Sequence, residues 1–395
     1  MKELSQRACG IQGSTTLAID AMFKSMRSKG EDVIGFAAGE PDFNTPEHIK
    51  QAGRQAIEDD FTRYTPTAGI APLREAVCKR LKEDCGLSYQ PSQIVVASGA
   101  KSALYAALQV LTNPGDEIIL PAPYWVSYYE LIQMVGAVPV IVETTEATGF
   151  KITAQALEAA VTEKTKALVL NNPSNPTGAV YTKQELAALA EVCVAQDLYI
   201  VADEIYYRLV YGDIIFTSIA SLGEQVKQRT ILINGVSKSY AMTGWRLGYA
   251  AASEQIIQLM TNYLSHAASA PSSISQKAAV EALTGPQEPI EAMRQAFESR
   301  RDFFVERLNQ IAGVSCQKPD GAFYIMMNCS GLFGRQLHGK RIDTVDDFAE
   351  VFLSAGKVAV VPCTGFGAPD FIRWSYAVDL DSICEGLNRL EAFLL

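Results

Sequence analysis

Residues 167–203 read ALVLNNPSNPTGAVYTKQELAALAEVCVAQDLYIVAD. Two apolar runs, Ala167–Asn171 and Leu198–Ala202, have strand length and little polar alternation, as strands buried on both faces do. Between them Thr182 stands three residues before Glu185, the spacing of a capping box, and starts a helix. Strand, helix and strand in succession predict a parallel pair joined by a crossover. The pattern continues outward on both sides. Strands are expected at Gln93–Ala97, Glu117–Leu120 and Val138–Val142 before this stretch, and at Thr230–Asn234 and Leu247–Ala251 after it. A further helix starts just after Gly99 and carries Leu104, Leu108 and Leu111 on one face. This predicts an α/β protein whose large domain has a mainly parallel sheet flanked by helices.

After about residue 285 the texture changes. A long charged helix over 287–311 is followed by shorter strands at Phe323–Met327, Lys357–Val361 and Phe371–Tyr376, with helices at 344–355 and 380–394. These elements predict a smaller α+β domain. A helix over Ser14–Gly30, with Leu17, Ala21, Met22 and Met26 at helical spacing, precedes the large sheet and is assigned to the small domain. The expected boundaries are 46–285 for the large domain, and 1–45 with 286–395 for a discontinuous small one. At 395 residues the chain is about 2.6 nominal domains long, which agrees with two.

Composition removes several classes. Lys and Arg number 34 against 44 Asp and Glu, so the net charge is −10 and neither nucleic acid nor an anionic membrane is expected as a partner. Eight cysteines contain no CxxC pair and only three histidines are present, a poor donor set for zinc. Scattered cysteines read as reduced thiols, and the start MKELSQRACGIQG lacks the apolar segment of a signal peptide, so a cytoplasmic protein is expected. Gly334 to Lys340 has the spacing of a phosphate-binding P-loop, but Arg341 stands where Ser or Thr is required and no strand precedes it.

The chemistry gathers at strand ends, where open α/β sheets bind ligands. One strand ends on Asp203, another delivers Lys238 just beyond Asn234, and a third leads through Asn172-Pro-Ser-Asn175. Each alone has an ordinary reading as a turn, cap or surface charge. Together a lysine, an aspartate and an asparagine at one sheet edge suit pyridoxal phosphate. That cofactor needs a lysine for its imine and an acid for its pyridine nitrogen. The acid keeps the ring protonated, because an opposite charge favours the charged form.

Seven segments carry a resemblance: Ala38-Gly-Glu-Pro-Asp-Phe43, Tyr124-Trp125, Asn172–Gly178, Asp203-Glu-Ile-Tyr206, Ser237–Arg246, Gly321-Ala-Phe-Tyr324 and Ile372-Arg373. In order and spacing, from about residue 3 to the C-terminus, the chain resembles the class I aminotransferases, fold-type-I pyridoxal phosphate enzymes. Within them it looks most like the bacterial aspartate aminotransferases of the branch that also occurs in thermophiles and plastids. The resemblance implies that Lys238 binds the cofactor and shuttles a proton, that Asp203 pairs with the ring nitrogen, and that Asn175 and Tyr206 bond its phenolic oxygen. Trp125 would stack on the ring. Gly99, Ala100, Ser237 and Arg246 would hold the phosphate, helped by Tyr64 of the neighbouring subunit, so a homodimer is implied. Arg373 supplies the planar fork for the substrate's α-carboxylate, and Gly39 a backbone N–H beside it.

Substrate choice rests on fewer residues. Lys101, beside the phosphate loop, matches a lysine that meets the distal carboxylate of aspartate in this branch. Members that accept prephenate tend to carry a lysine where Gln12 stands here. The expected reaction is therefore L-aspartate with 2-oxoglutarate, giving oxaloacetate and L-glutamate. An aromatic or broad-range aminotransferase and a carbon–sulfur β-lyase share Lys238 and Arg373 and stay open at this point. A cofactor-sensing regulator would need a DNA-binding module before residue 14, where none fits.

Overall fold

The computed structural model describes residues 2–395 and, of Arg7, the backbone alone. The large sheet has seven strands: β1 (Ile94–Ala97), β2 (Glu117–Ala122), β3 (Val138–Glu143), β4 (Thr165–Asn171), β5 (Tyr199–Asp203), β6 (Thr230–Gly235) and β7 (Gly248–Ala251). Their order is β1-β7-β6-β5-β4-β2-β3. Each expected strand is present to within two residues at either end. All pairs are parallel except those of β7, which runs antiparallel to β1 and β6. The exception has a local cause. Residues 236–247 contain no α-helix to carry the chain across a face, so it turns back on the neighbouring strand.

Apolar runs without alternation are buried on both faces, as expected. Val169, Val201 and Ile231 pack towards the helices Ala100–Leu111 and Glu254–Ala267. Leu168, Leu170, Ile200 and Ala202 pack on the opposite face with the helix Lys183–Ala195. That helix starts at the predicted capping box, with Thr182 and Glu185 bonding each other's backbone amides.

The smaller sheet holds β8 (Ser315–Cys316), β9 (Tyr324–Asn328), β10 (Val361–Pro362) and β11 (Phe371–Ser375), antiparallel in the order β10-β11-β9-β8. Phe297, Phe304, Trp374 and Phe393 form its core together with the helices Glu288–Leu308 and Leu380–Leu394. The single strand expected at Lys357–Val361 is divided between two partners. Val358–Ala359 pairs in parallel with Ile34–Gly35, while Val361–Pro362 pairs with β11. The first pairing ties the chain's beginning to its end.

The N-terminal helix runs from Thr15 to Ser28, and the Ser14 hydroxyl accepts from the Leu17 amide as its cap. Its packing face shares only Met26 with the expected one. Leu17 and Met22 are 67% and 54% exposed, whereas Ile19, Phe23 and Met26 pack against Val33, Leu353 and Ala359. The helix lies against the 33–35 and 358–359 segments, and that contact selects the face. The P-loop-like segment forms a short hairpin, Gln336–Leu337 with Lys340–Arg341, and no helix opens there.

Candidate active site

Three parallel strands deliver their next residues to one edge of the sheet. β5 ends on Asp203, β4 ends on Asn171 opposite it in register, and β6 leads into Ser237 and Lys238. The tight return to β7 also brings Arg246 to this edge. The edge opens into a cavity of about 360 Å³. Asp203, Lys238, Tyr206 and Asn175 line it, together with Ser237, Arg246, Ala100 and Lys101. Gly39, Trp125 and Arg373 complete the set.

Lys238 and Asp203 pay for their burial in opposite directions. Burial pushes the Lys238 amine down to about 8, although the nearby Glu40 carboxylate favours its charge. Its Nζ donates to the Gly39 carbonyl at 2.5 Å. Burial pushes the Asp203 carboxyl up to about 6, offset in part by its hydrogen bonds and by Lys238. Tyr128 donates to Asp203 Oδ2 at 2.8 Å, and the Ile205 amide donates to Oδ1 at 3.1 Å. Glu204, the next residue, turns to the other face of the sheet, where Ser218 donates to it.

The loop after β4 is fixed by Asn171. Its Nδ2 donates to the Asp203 carbonyl at 2.9 Å, and its Oδ1 accepts from the Asn175 amide at 2.8 Å. Asn175 Oδ1 in turn accepts from Arg373 at 2.9 Å. Arg373 is 1% exposed and donates a second bond to the Ala37 carbonyl at 2.9 Å. Its guanidinium lies 4.5 Å from the Tyr324 ring centroid and 5.2 Å from that of Phe366. The Tyr206 hydroxyl is 2.9 Å from that of Tyr324.

At the other end the helix Ala100–Leu111 starts at Gly99 without a side-chain cap, so its first amides have no side-chain partner. A helix N-terminus of this kind favours an anion. Gly99 has φ +93°, and a Cβ there would lie 2.5 Å from a guanidinium nitrogen of Arg246. Only glycine fits both requirements. Arg246 is exposed and donates to the Thr243 carbonyl at 2.9 Å. The Lys101 ammonium sits 4.6 Å from the Trp125 ring centroid, and burial, followed by the Arg246 charge, pushes its pKa down.

Two sequence-picked residues stand apart from this group. Tyr64 is 98% exposed and does not line the cavity. Gln12 does not line it either; its amide donates to Glu130 at 3.2 Å. Other residues enter unforeseen. Ser14, Thr16 and Leu17 reach the cavity from the N-terminal helix. Tyr128 lies one helical turn beyond Trp125, a spacing that places both on one side and was a usable signal. Asn171 is legible as the last residue of an apolar strand, and Tyr324 as the end of the segment Gly321-Ala-Phe-Tyr324.

The donor set fits pyridoxal phosphate. Asp203 is a buried carboxylate with no cation in hydrogen-bond contact among the described residues, as a ring N–H requires. The Gly99–Arg246 cradle would be filled by any larger residue at 99. An amine depressed to about 8 is available for covalent attachment. Among the described residues no cluster of His, Cys, Asp and Glu could hold a metal.

Comparison with known proteins agrees. The family described as aminotransferase class I and II matches residues 31–390. An aspartate aminotransferase of Geobacillus stearothermophilus is 49% identical over 392 residues, covering 99% of both chains. The crystal structure of the aspartate aminotransferase from Rhizobium meliloti superposes with a TM-score of 0.96 at 41% identity, covering 100% of this chain and 99% of that one. The Thermus thermophilus enzyme, solved with maleate, gives 0.94 at 39% identity with complete coverage of both. The chain therefore belongs to the class I and II aminotransferases, and its cofactor is pyridoxal phosphate.

Proposed function

We propose that this protein transfers the amino group of L-aspartate to 2-oxoglutarate, giving oxaloacetate and L-glutamate. The observation that carries the reading is that two cations line one cavity. Arg373 is buried in its wall, and Lys101 stands over Trp125, which also lines it. A dicarboxylate has one anionic group for each. The names of the similar proteins from Geobacillus and Rhizobium point to the same donor.

The bound cofactor supplies a carbonyl carbon for amines and a protonated ring that takes up the electron pair released at the donor's Cα. The chain's own residues do the rest. Asp203, held by Tyr128 and the Ile205 amide, keeps the proton on the ring nitrogen. Asn175 and Tyr206 bond the phenolic oxygen. Ser237, Arg246 and the first amides of the helix at Ala100 hold the phosphate, with Gly99 leaving room. Trp125, which lines the cavity, would pack against the ring. Lys238, its amine depressed to about 8, would take the proton from Cα and deliver it to the cofactor carbon on the other side of the shared nitrogen. Arg373 grips the α-carboxylate with both arms, and Gly39 adds its amide. Lys101 meets the distal carboxylate.

Tyr64 reaches the phosphate of a second copy, so the working unit is a homodimer with shared sites. A tyrosine left 98% exposed in one chain supports this. We assign residues 46–285 to a large domain, and 1–45 with 286–395 to a small one that closes over the site. The Ile34–Gly35 to Val358–Ala359 pairing supports the discontinuous unit. The protein works in the cytoplasm. All eight cysteines are free, and no helix among the described residues is long and apolar enough to cross a membrane.

A donor panel with 2-oxoglutarate tests the reading. Aspartate is expected to give oxaloacetate at a kcat/KM at least tenfold above phenylalanine. Pyruvate and ammonia from cysteine or cystathionine, with no oxaloacetate from aspartate, would replace it with a β-lyase.

A further inference from the structure

Tyr324 lies where three parts of the cavity meet. It stands on β9 two residues before Met326, which faces Arg373 across the sheet. Its side chain is buried at 1% exposure, with its ring 4.5 Å from the Arg373 guanidinium. Its hydroxyl lies 2.9 Å from that of Tyr206 and has no other hydrogen-bond partner among the described residues. A Cβ on Gly39 would come within 2.9 Å of the same hydroxyl, so the loop carrying Gly39 packs directly on it.

The direction of the Tyr206–Tyr324 bond follows from counting protons. A phenol has one proton to give and lone pairs to accept with. Tyr206, in the role proposed for it, gives its proton to the phenolic oxygen of the cofactor. It can then only accept from Tyr324, so Tyr324 is the donor. Buried donors in series polarise one another, and each strengthens the next. Arg373 thus reaches both residues assigned to the phenolic oxygen. It binds Asn175 directly at 2.9 Å, and it touches Tyr206 through the Tyr324 ring and hydroxyl.

We propose that Tyr324 is a positioning residue that donates its hydroxyl proton to Tyr206, and so couples the carboxylate grip of Arg373 to the charge on the cofactor's phenolic oxygen. The proposal rests on the roles given to Lys238, Tyr206 and Arg373. Without the Tyr324 hydroxyl, Tyr206 is a weaker donor and the phenolic oxygen holds its negative charge less well. The lysine-bound cofactor then keeps its proton to higher pH. Phenylalanine at 324 retains the ring beneath Arg373, so carboxylate binding is preserved while the relay is cut.

The test is a pH titration of the visible absorbance of cofactor-loaded parent, Tyr324→Phe, Tyr206→Phe and the double variant, with thermal unfolding as a check on folding. Tyr324→Phe is expected to raise the midpoint by about half a unit, a fraction of what one neutral hydrogen bond contributes. Tyr206→Phe raises it further, and adding Tyr324→Phe to it changes nothing more. Saturation with succinate, which fills Arg373, moves the parent's midpoint by a larger interval than that of Tyr324→Phe. A Tyr324→Phe midpoint within about 0.1 unit of the parent's, an equal shift in the Tyr206→Phe background, or equal succinate intervals would overturn the proposal alone. A parent without a visible band would overturn the underlying reading of Lys238 and this proposal with it.

Discussion

The two ends of the cavity are built differently. At the carboxylate end Arg373 is 1% exposed, holds two hydrogen bonds, and lies between the Tyr324 and Phe366 rings. At the end assigned to the phosphate, Arg246 and Lys101 are exposed in the single chain, Arg246 donates to the Thr243 carbonyl of its own turn, and Tyr64 is 98% exposed. A desolvated, preorganised fork pays its ordering cost during folding and gives specificity. An exposed cationic rim does not, and in the proposed homodimer the phosphate and the second copy's Tyr64 would complete it.

The contrast ranks the expected effects of substitution. Lys238, between the two ends, has no substitute, so Lys238→Ala lowers aspartate turnover by about a thousandfold or more in a steady-state assay. Retention of a tenth of the parent rate would break the proton-shuttle assignment. At the closed end Arg373→Lys keeps the charge and loses the fork. It lowers kcat/KM for aspartate about a hundredfold, chiefly through KM. An unchanged KM would break the carboxylate assignment. At the open end Lys101→Ala lowers kcat/KM for aspartate about tenfold and leaves phenylalanine unaffected, because an exposed ion pair contributes little more. An equal fall for both donors would remove Lys101 from substrate choice.

A smaller effect reports the cost of the buried acid. Asp203 is raised from its usual range to about 6 by burial, so the folded state binds its proton more tightly than the unfolded state. The stability from that protonated acid is complete below about pH 3.8 and is lost as pH rises through about 6. Cofactor-free Asp203→Asn is therefore expected to unfold at a higher temperature than the parent at pH 7.5, with the gap closing by pH 4. A gap independent of pH would show that Asp203 is not a strained acid in the empty site.

Much of this was legible in the sequence. The seven strands of the large sheet announce themselves because strands buried on both faces are short apolar runs, and the residue after each run marks the ligand edge. Asp203, Asn175 and Lys238 could be placed for that reason, while Arg246 came from the resemblance to the class I aminotransferases. What escaped depends on distance across space. Tyr128 and Tyr324 are aromatic residues in apolar surroundings, and only the folded chain shows that their hydroxyls meet Asp203 and Tyr206. The helix Thr15–Ser28 has apolar residues on more than one side. Its partner at Val33, Leu353 and Ala359 chose Ile19, Phe23 and Met26, leaving Leu17 to line the cavity. The split of 357–361 between two partners likewise follows from where Ile34–Gly35 arrives.

In the proposed homodimer, Tyr64 of one copy completes the phosphate end of the other copy's site. Mixed dimers of Lys238→Ala with Tyr64→Ala test it most directly, because one of their two sites combines an intact Lys238 with an intact Tyr64 from the other copy. The account predicts that purified heterodimers recover about half the parent's kcat/KM for aspartate, well above either parental homodimer variant. Heterodimers no more active than half of the Tyr64→Ala homodimer would contradict it.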